Sequence, residues 1–176
     1  MSIKYSYIMT ECNVDTNVAS CLMQGTVSHQ HTCNDVAKTL KDKYQNKFGV
    51  GIIDKDKKIV PYLREFDEIE HSEHLCVWKH KNLDQYMITV SPAMDGFLWD
   101  CAQEHKIPLD KYELPTNRDD FIERMKHKSV YDDPAIKRLT RDMLDNKELG
   151  YLKCILQYLS QNTYKSDSKD IKSFFK

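Results

Sequence analysis

The run Phe48-Gly49-Val50-Gly51-Ile52-Ile53, which stops abruptly at Asp54-Lys55-Asp56-Lys57-Lys58, constrains this chain more than any other stretch. Its apolar, largely β-branched character predicts a buried strand. The abrupt end delivers two carboxylates, spaced by one residue, to the rim of a sheet.

The stretch preceding it supplies a companion. Residues 3–9 (IKYSYIM) read as a first strand, followed at once by Thr10-Glu11-Cys12-Asn13, so Glu11 lies just past its carboxyl end. Val14, Val18, Cys21 and Leu22 then fall at helical spacing, and that helix should stop near Gly25. After a polar loop with His29 and His31, Val36, Ala37, Leu40 and Tyr44 mark a second helix over 34–47. A parallel pair of strands needs a crossover that is usually helical, so the two acidic-ended strands are expected to be parallel neighbours. Asp54 can then approach Glu11.

Residues 61–74 are acidic and poorly periodic, and read as a loop or short helix. Strand candidates follow at 75–78 and 86–90, as a hairpin or as neighbours. Ser91-Pro92 reads as the start of a long helix carrying Ala93, Met94, Phe97, Leu98, Cys101 and Ala102. Beyond Pro115 the pattern is helical throughout, with caps at Thr116 or Asn117 and at Asp133-Pro134. The expected fold class is α/β, a mostly parallel sheet of about four strands flanked by helices with a C-terminal helical cover. Residues 1–110 would form the core, 111–162 a helical extension packed on it, and 163–176 a polar, frayed tail.

A length of 176 residues suits this single unit. With 26 basic against 27 acidic side chains there is no general cationic coat, so a nucleic-acid partner needs a local basic patch. No apolar stretch approaches the ~20 residues of a membrane helix, and no leader pattern opens the chain. Cys12, Cys21, Cys33, Cys76, Cys101 and Cys154 form no CxxC pair. Free thiols in a cytoplasmic protein without a membrane partner are expected.

Carboxylates at alternate positions of an extended segment project to one side, so Asp54 and Asp56 can share a metal, with Glu11 as a third hard donor. Such a donor set at the carboxyl edge of a sheet selects Mg²⁺ or Mn²⁺, ions that clamp phosphates during transfer or hydrolysis. Asp15, four residues after Glu11, is a secondary candidate ligand, although an early helix position suits aspartate for capping alone. The acidic run Glu65, Asp67, Glu68, Glu70 and Glu73 reads as a solvated face or a contributor to a second metal. His29-x-His31-x-Cys33 and His71-x-x-His74 have zinc-like spacing without zinc-motif regularity. Lys57, Lys58, Lys79 and Lys81 are candidate nucleic-acid contacts, the last two beside Trp78 and His80.

A first strand ending in Tyr-Ile-Met-Thr-Glu11, a helical crossover, and a strand ending in Val-Gly-Ile-Ile-Asp54-Lys-Asp56 together resemble the Toprim fold of type IA topoisomerases, primases and the overcoming-lysogenization-defect nucleases. The resemblance spans roughly residues 3–107 and its specific residues are three. It implies that Glu11, Asp54 and Asp56 ligate Mg²⁺ and support cleavage or joining of a phosphodiester backbone. The small size is similar to stand-alone members that work beside an ATPase partner in phage defence. Cys12 stands where many members have glycine, as do Lys57 and Lys58 after the second aspartate. No sequence context marks any of the 10 tyrosines as a transesterifying one, which favours a nuclease over a topoisomerase.

Two other readings stay open. The Asp-x-Asp pair can hold a metal-bound nucleotide, as in a glycosyltransferase, or serve a haloacid-dehalogenase phosphatase, whose motif normally lies on the first strand. Alternatively the α/β scaffold is a non-catalytic binding or partner-docking module whose carboxylates bind nothing.

Overall fold

Alternating side chains on the central strands sort the core onto two faces of one sheet. The computed structural model describes residues 1–55 and 59–176. Its strands are β1 (Ile3–Thr10), β2 (Gly25–His29), β3 (Gly49–Asp54), β4 (Phe66–His71), β5 (Leu75–His80) and β6 (Gln85–Val90). They lie in the order β2-β1-β3-β6-β5-β4. The first four in that order are parallel, whereas β5 is antiparallel to β6 and β4 to β5.

The α/β class is therefore as expected, but the sheet has six strands rather than about four, and it is mixed. Both unexpected strands lie at its edges. In β2, Val27 is the one buried apolar residue, too little for a visible alternation. In β4, a register shift between Glu68 and Glu70 places its buried residues Phe66 and Ile69 three apart, which erases the period of two.

The helices are α1 (Asn13–Met23), α2 (Cys33–Lys43), α3 (Met94–Glu104), α4 (Arg118–Met125), α5 (Pro134–Asp142), α6 (Lys147–Asn162) and α7 (Ser168–Ser173). Ile8, Val50, Ile52, Tyr86, Ile88 and Val90 point to the face covered by α1, α3 and the C-terminal helices. Met9, Ile53 and Met87 point to the opposite face, against Val36, Ala37 and Leu40 of α2. Gly49 and Gly51 let α2 lie close on β3. A Cβ at Gly49 would stand 2.8 Å from Leu40 Cδ2, and one at Gly51 would stand 2.7 Å from Met87 Sδ and 2.8 Å from Val36 Cγ1.

Helix α3 begins at Met94, later than the Ser91-Pro92 signal suggests, because the Ser91 N–H continues the β5–β6 hairpin by donating to His74 O at 2.7 Å. Residues 163–176, expected to fray, contain α7, whose Ile171 is fully buried and whose Asp170 accepts a 2.6 Å hydrogen bond from Tyr158 Oη. Among the described residues, no helix is long and apolar enough to cross a membrane.

Candidate metal centre

Strands β1 and β3 pair through Ile8↔Val50, Met9↔Gly51 and Thr10↔Ile52, which sets their carboxyl ends side by side. Glu11, the next residue after β1, is 1% exposed, and its Oε2 accepts the backbone N–H of Asp54 at 3.0 Å. Asp54 lies on the same face of β3 as Val50 and Ile52, toward α1 and α3. Its Oδ1 accepts the N–H of Met94 at 3.1 Å and so caps the start of α3. One carboxylate thus fixes the end of the neighbouring strand, and the next fixes the helix that follows β6.

Asp15 completes the arrangement from α1. Its Oδ2 accepts the Cys12 N–H at 3.1 Å, as expected of an acid in the first turn, but the side chain is fully buried. Among the described residues its Oδ1 has no hydrogen-bond partner. Burial pushes its pKa up to about 7, the nearby Glu11 and Asp95 charges add to the rise, and the Cys12 hydrogen bonds oppose it. Ligand atoms of Cys12, Asp15 and Asp54 lie within 4.8 Å of one another. The Cys12 thiol is itself held far above its usual range by burial and by the Asp15 and Asp54 charges, so it offers a neutral sulfur rather than a thiolate.

The donor set is therefore dominated by carboxylate oxygens, and a buried carboxylate oxygen without a partner is what a hard divalent cation would satisfy. Asp15 and Asp95 also occupy the first turns of α1 and α3, where the helix dipoles favour negative charge. Two carboxylates and a neutral thiol form a group that could hold a metal ion.

A buried hydroxyl pair braces the Glu11–Cys12 corner from beneath. The Thr16 hydroxyl donates to Cys12 O at 2.8 Å, and Thr10 Oγ1 lies 2.7 Å from Thr16 Oγ1. His29 Nδ1 is 2.8 Å from the same Thr16 oxygen. Since Thr16 has one proton and gives it to Cys12 O, the imidazole donates from Nδ1. Burial and the neighbouring His31 lower the His29 pKa, which keeps that ring neutral.

The other described sequence candidates are placed elsewhere. Asp56, Lys57 and Lys58 lie outside the described residues. Lys79 pairs in register with Tyr86, whereas Leu75 pairs with Val90 and Val90 with Asp54, so Lys79 sits toward the end of the sheet opposite the acidic centre. Its ammonium donates to His80 O at 3.1 Å and to Leu83 O, lies over the Tyr86 ring, and has its pKa lowered by burial. Lys81 is beyond it, donating to Arg64 O at 3.1 Å and 3.9 Å from Asp67.

The two histidine clusters are also separated. His29 ends β2 and His71 ends β4, strands at opposite edges of the sheet. Five interstrand steps put them roughly 24 Å apart, too far to share an ion. His71 Nδ1 instead lies 2.7 Å from Glu68 Oε1, and His74 Nδ1 lies 2.8 Å from Ser91 O.

Cys12 and Asp95 escaped sequence reading. Cys12 stands next to Glu11 in no ligand motif, and Asp95 belongs to no acidic pattern in the sequence. No protein-family model, curated protein or solved structure matches this chain.

Proposed function

We propose that this protein is a metal-dependent phosphodiesterase acting on nucleic acid, with Glu11, Asp15 and Asp54 as its metal-holding residues and Mg²⁺ or Mn²⁺ as the ion. The observation that carries the reading is the fully buried Asp15 carboxylate, one oxygen without a partner among the described residues, with ligand atoms of Asp15, Asp54 and Cys12 within 4.8 Å of one another and Glu11 holding the Asp54 backbone beside them. Burying several carboxylates together costs several kcal/mol unless a cation offsets their repulsion. That edge is also where open α/β sheets bind their ligands.

A divalent ion bound there supplies charge neutralisation for a phosphoryl oxygen and acidifies a water for attack. The chain's own residues hold the geometry. Glu11 fixes the Asp54 backbone, Asp54 fixes α3, and Asp15 fixes the Cys12 backbone that Thr16 also grips. The haloacid-dehalogenase alternative fits less well, because its aspartates belong on the first strand and here β1 ends in Glu11 while Asp54 ends β3. The ATPase partner and the phage-defence setting remain proposals that rest on the Toprim resemblance alone.

The test is nicking of plasmid and single-stranded DNA in Mn²⁺ and in EDTA. Metal-dependent cleavage by the wild-type protein, lost in Glu11→Gln and Asp54→Asn, supports the reading. Equal cleavage by wild type and both variants sinks it.

A further inference from the structure

An acidic centre on a chain of net charge -1 repels a polyanion, so a nuclease of this kind has to grip its substrate on cations placed elsewhere. Lys79 and Lys81 are at the far end of the sheet. A different surface has the required properties. An open cleft of about 760 Å³ runs beside α1, with Thr16, Ser20, Tyr131, Lys137, Arg141 and Lys153 among its lining residues.

Its floor reaches Thr16, whose hydroxyl is bonded to the backbone of Cys12 in the acidic centre. Cys12, Thr16, Ser20 and Gln24 recur every four residues along and just beyond α1, so they form one stripe. Cys12 belongs to the centre, the Thr16 hydroxyl donates to Cys12 O, and Thr16, Ser20 and Gln24 line the cleft. At 1.5 Å per residue the lining part of the stripe extends ~12 Å away from the centre.

The opposite wall comes from α5 and α6 and is basic. Lys137 is paired with Asp132, which also lines the cleft. The Arg141 guanidinium lies against the Cys21 thiol. Among the described residues neither Arg141 nor Lys153 has a carboxylate within ion-pair distance. Tyr131, 41% exposed, stands at the cleft and meets His29 edge-on at 5.6 Å between ring centroids, beside the Thr16 hydroxyl. A row of cations with an exposed aromatic ring is what holds a single strand, whose phosphates track the charge while an unpaired base stacks on the ring. A paired base presents no free face to Tyr131.

We propose that this cleft is the binding channel for single-stranded nucleic acid, with Arg141 and Lys153 on the phosphates and Tyr131 under a base, leading the strand along α1 to the carboxylates. The substrate class is taken from the nuclease reading above; the channel is a separate claim and is tested without metal.

Fluorescence anisotropy of the full chain in EDTA, with a labelled thymidine oligomer of about 20 nucleotides, reads it directly, since single-strand sites span ~4–16 nucleotides. The wild-type protein is expected to bind. Arg141→Ala combined with Lys153→Ala should weaken binding at least about tenfold and reduce the salt slope by about 0.7 per lost contact. Tyr131→Ala should weaken it about fivefold or more, and Tyr131→Phe should restore it. Lys81→Ala, at the other end of the sheet, should bind as wild type.

No binding by the wild type overturns the channel, as does wild-type affinity in the Arg141/Lys153 variant. Equal or tighter binding of a blunt duplex, or equal displacement by polyglutamate, overturns it too. Thermal melting checks that each variant is folded, and the Tyr131→Phe against Tyr131→Ala contrast decides if the charge variant is not. A strand bound through the cleft but never cut in Mn²⁺ sinks the nuclease reading alone. Cutting by a protein whose cleft variants bind normally sinks the channel alone.

Discussion

The Glu11 carboxylate accepts the backbone N–H of Asp54 at 3.0 Å, so an acid at the end of one strand sets the position of the acid at the end of its neighbour. Glutamine keeps an acceptor oxygen there and asparagine keeps the Asp54 cap on Met94. Glu11→Gln and Asp54→Asn should therefore fold normally while losing Mn²⁺-dependent cleavage by about hundredfold or more. Asp54→Ala should lose cleavage and also about 1 kcal/mol of stability, because α3 loses its cap. Nicking rates beside urea unfolding curves separate the two effects.

Asp15 makes stability depend on pH. Its folded pKa of about 7 lies above its ordinary 3.8, so between those values the folded state binds the proton more readily than the unfolded chain. The stabilisation is fully present below about pH 4 and is lost as pH rises through 7. In metal-free buffer Asp15→Asn should match wild type near pH 4 and exceed it at pH 8, by on the order of a few kcal/mol. Thermal melts across that range in EDTA measure the difference.

Metal binding runs the opposite way with pH. A protonated Asp15 cannot serve as a ligand, so Mn²⁺ affinity should climb up to about tenfold per pH unit below 7 and level off above it. Water-proton relaxation at a series of pH values follows this. A flat profile from pH 5 to 8 would exclude Asp15 as a ligand.

The C-terminal segment should contribute to stability rather than hang free. Ile171 is fully buried, so Ile171→Ala should cost about 2–4 kcal/mol in urea unfolding. A segment that frays would show no change.

The centre of the fold was legible because β1 and β3 are short runs of β-branched, aromatic and apolar residues followed by acids, and the helices between them carry the 3.6 period. The edges were not. One apolar residue in β2 and a bulge in β4 leave no alternation to read. At the site, Glu11 and Asp54 announced themselves by standing at strand ends. Asp15 read equally well as a helix-capping acid, and it is both. Only packing reveals that its side chain is buried against Cys12, whose backbone it caps. The basic cleft assembles from Tyr131, Lys137, Arg141 and Lys153 only when the C-terminal helices fold back on α1, and each looks like an ordinary surface residue in the sequence.

Calorimetric titration of the metal-stripped protein with Mn²⁺ at pH 8 tests the central claim most directly. Binding of Mn²⁺ by the wild type below millimolar concentration, weakened at least about tenfold in both Asp15→Asn and Asp54→Asn, is the expected result. No heat of binding at millimolar Mn²⁺, or unchanged affinity in both variants, would contradict it.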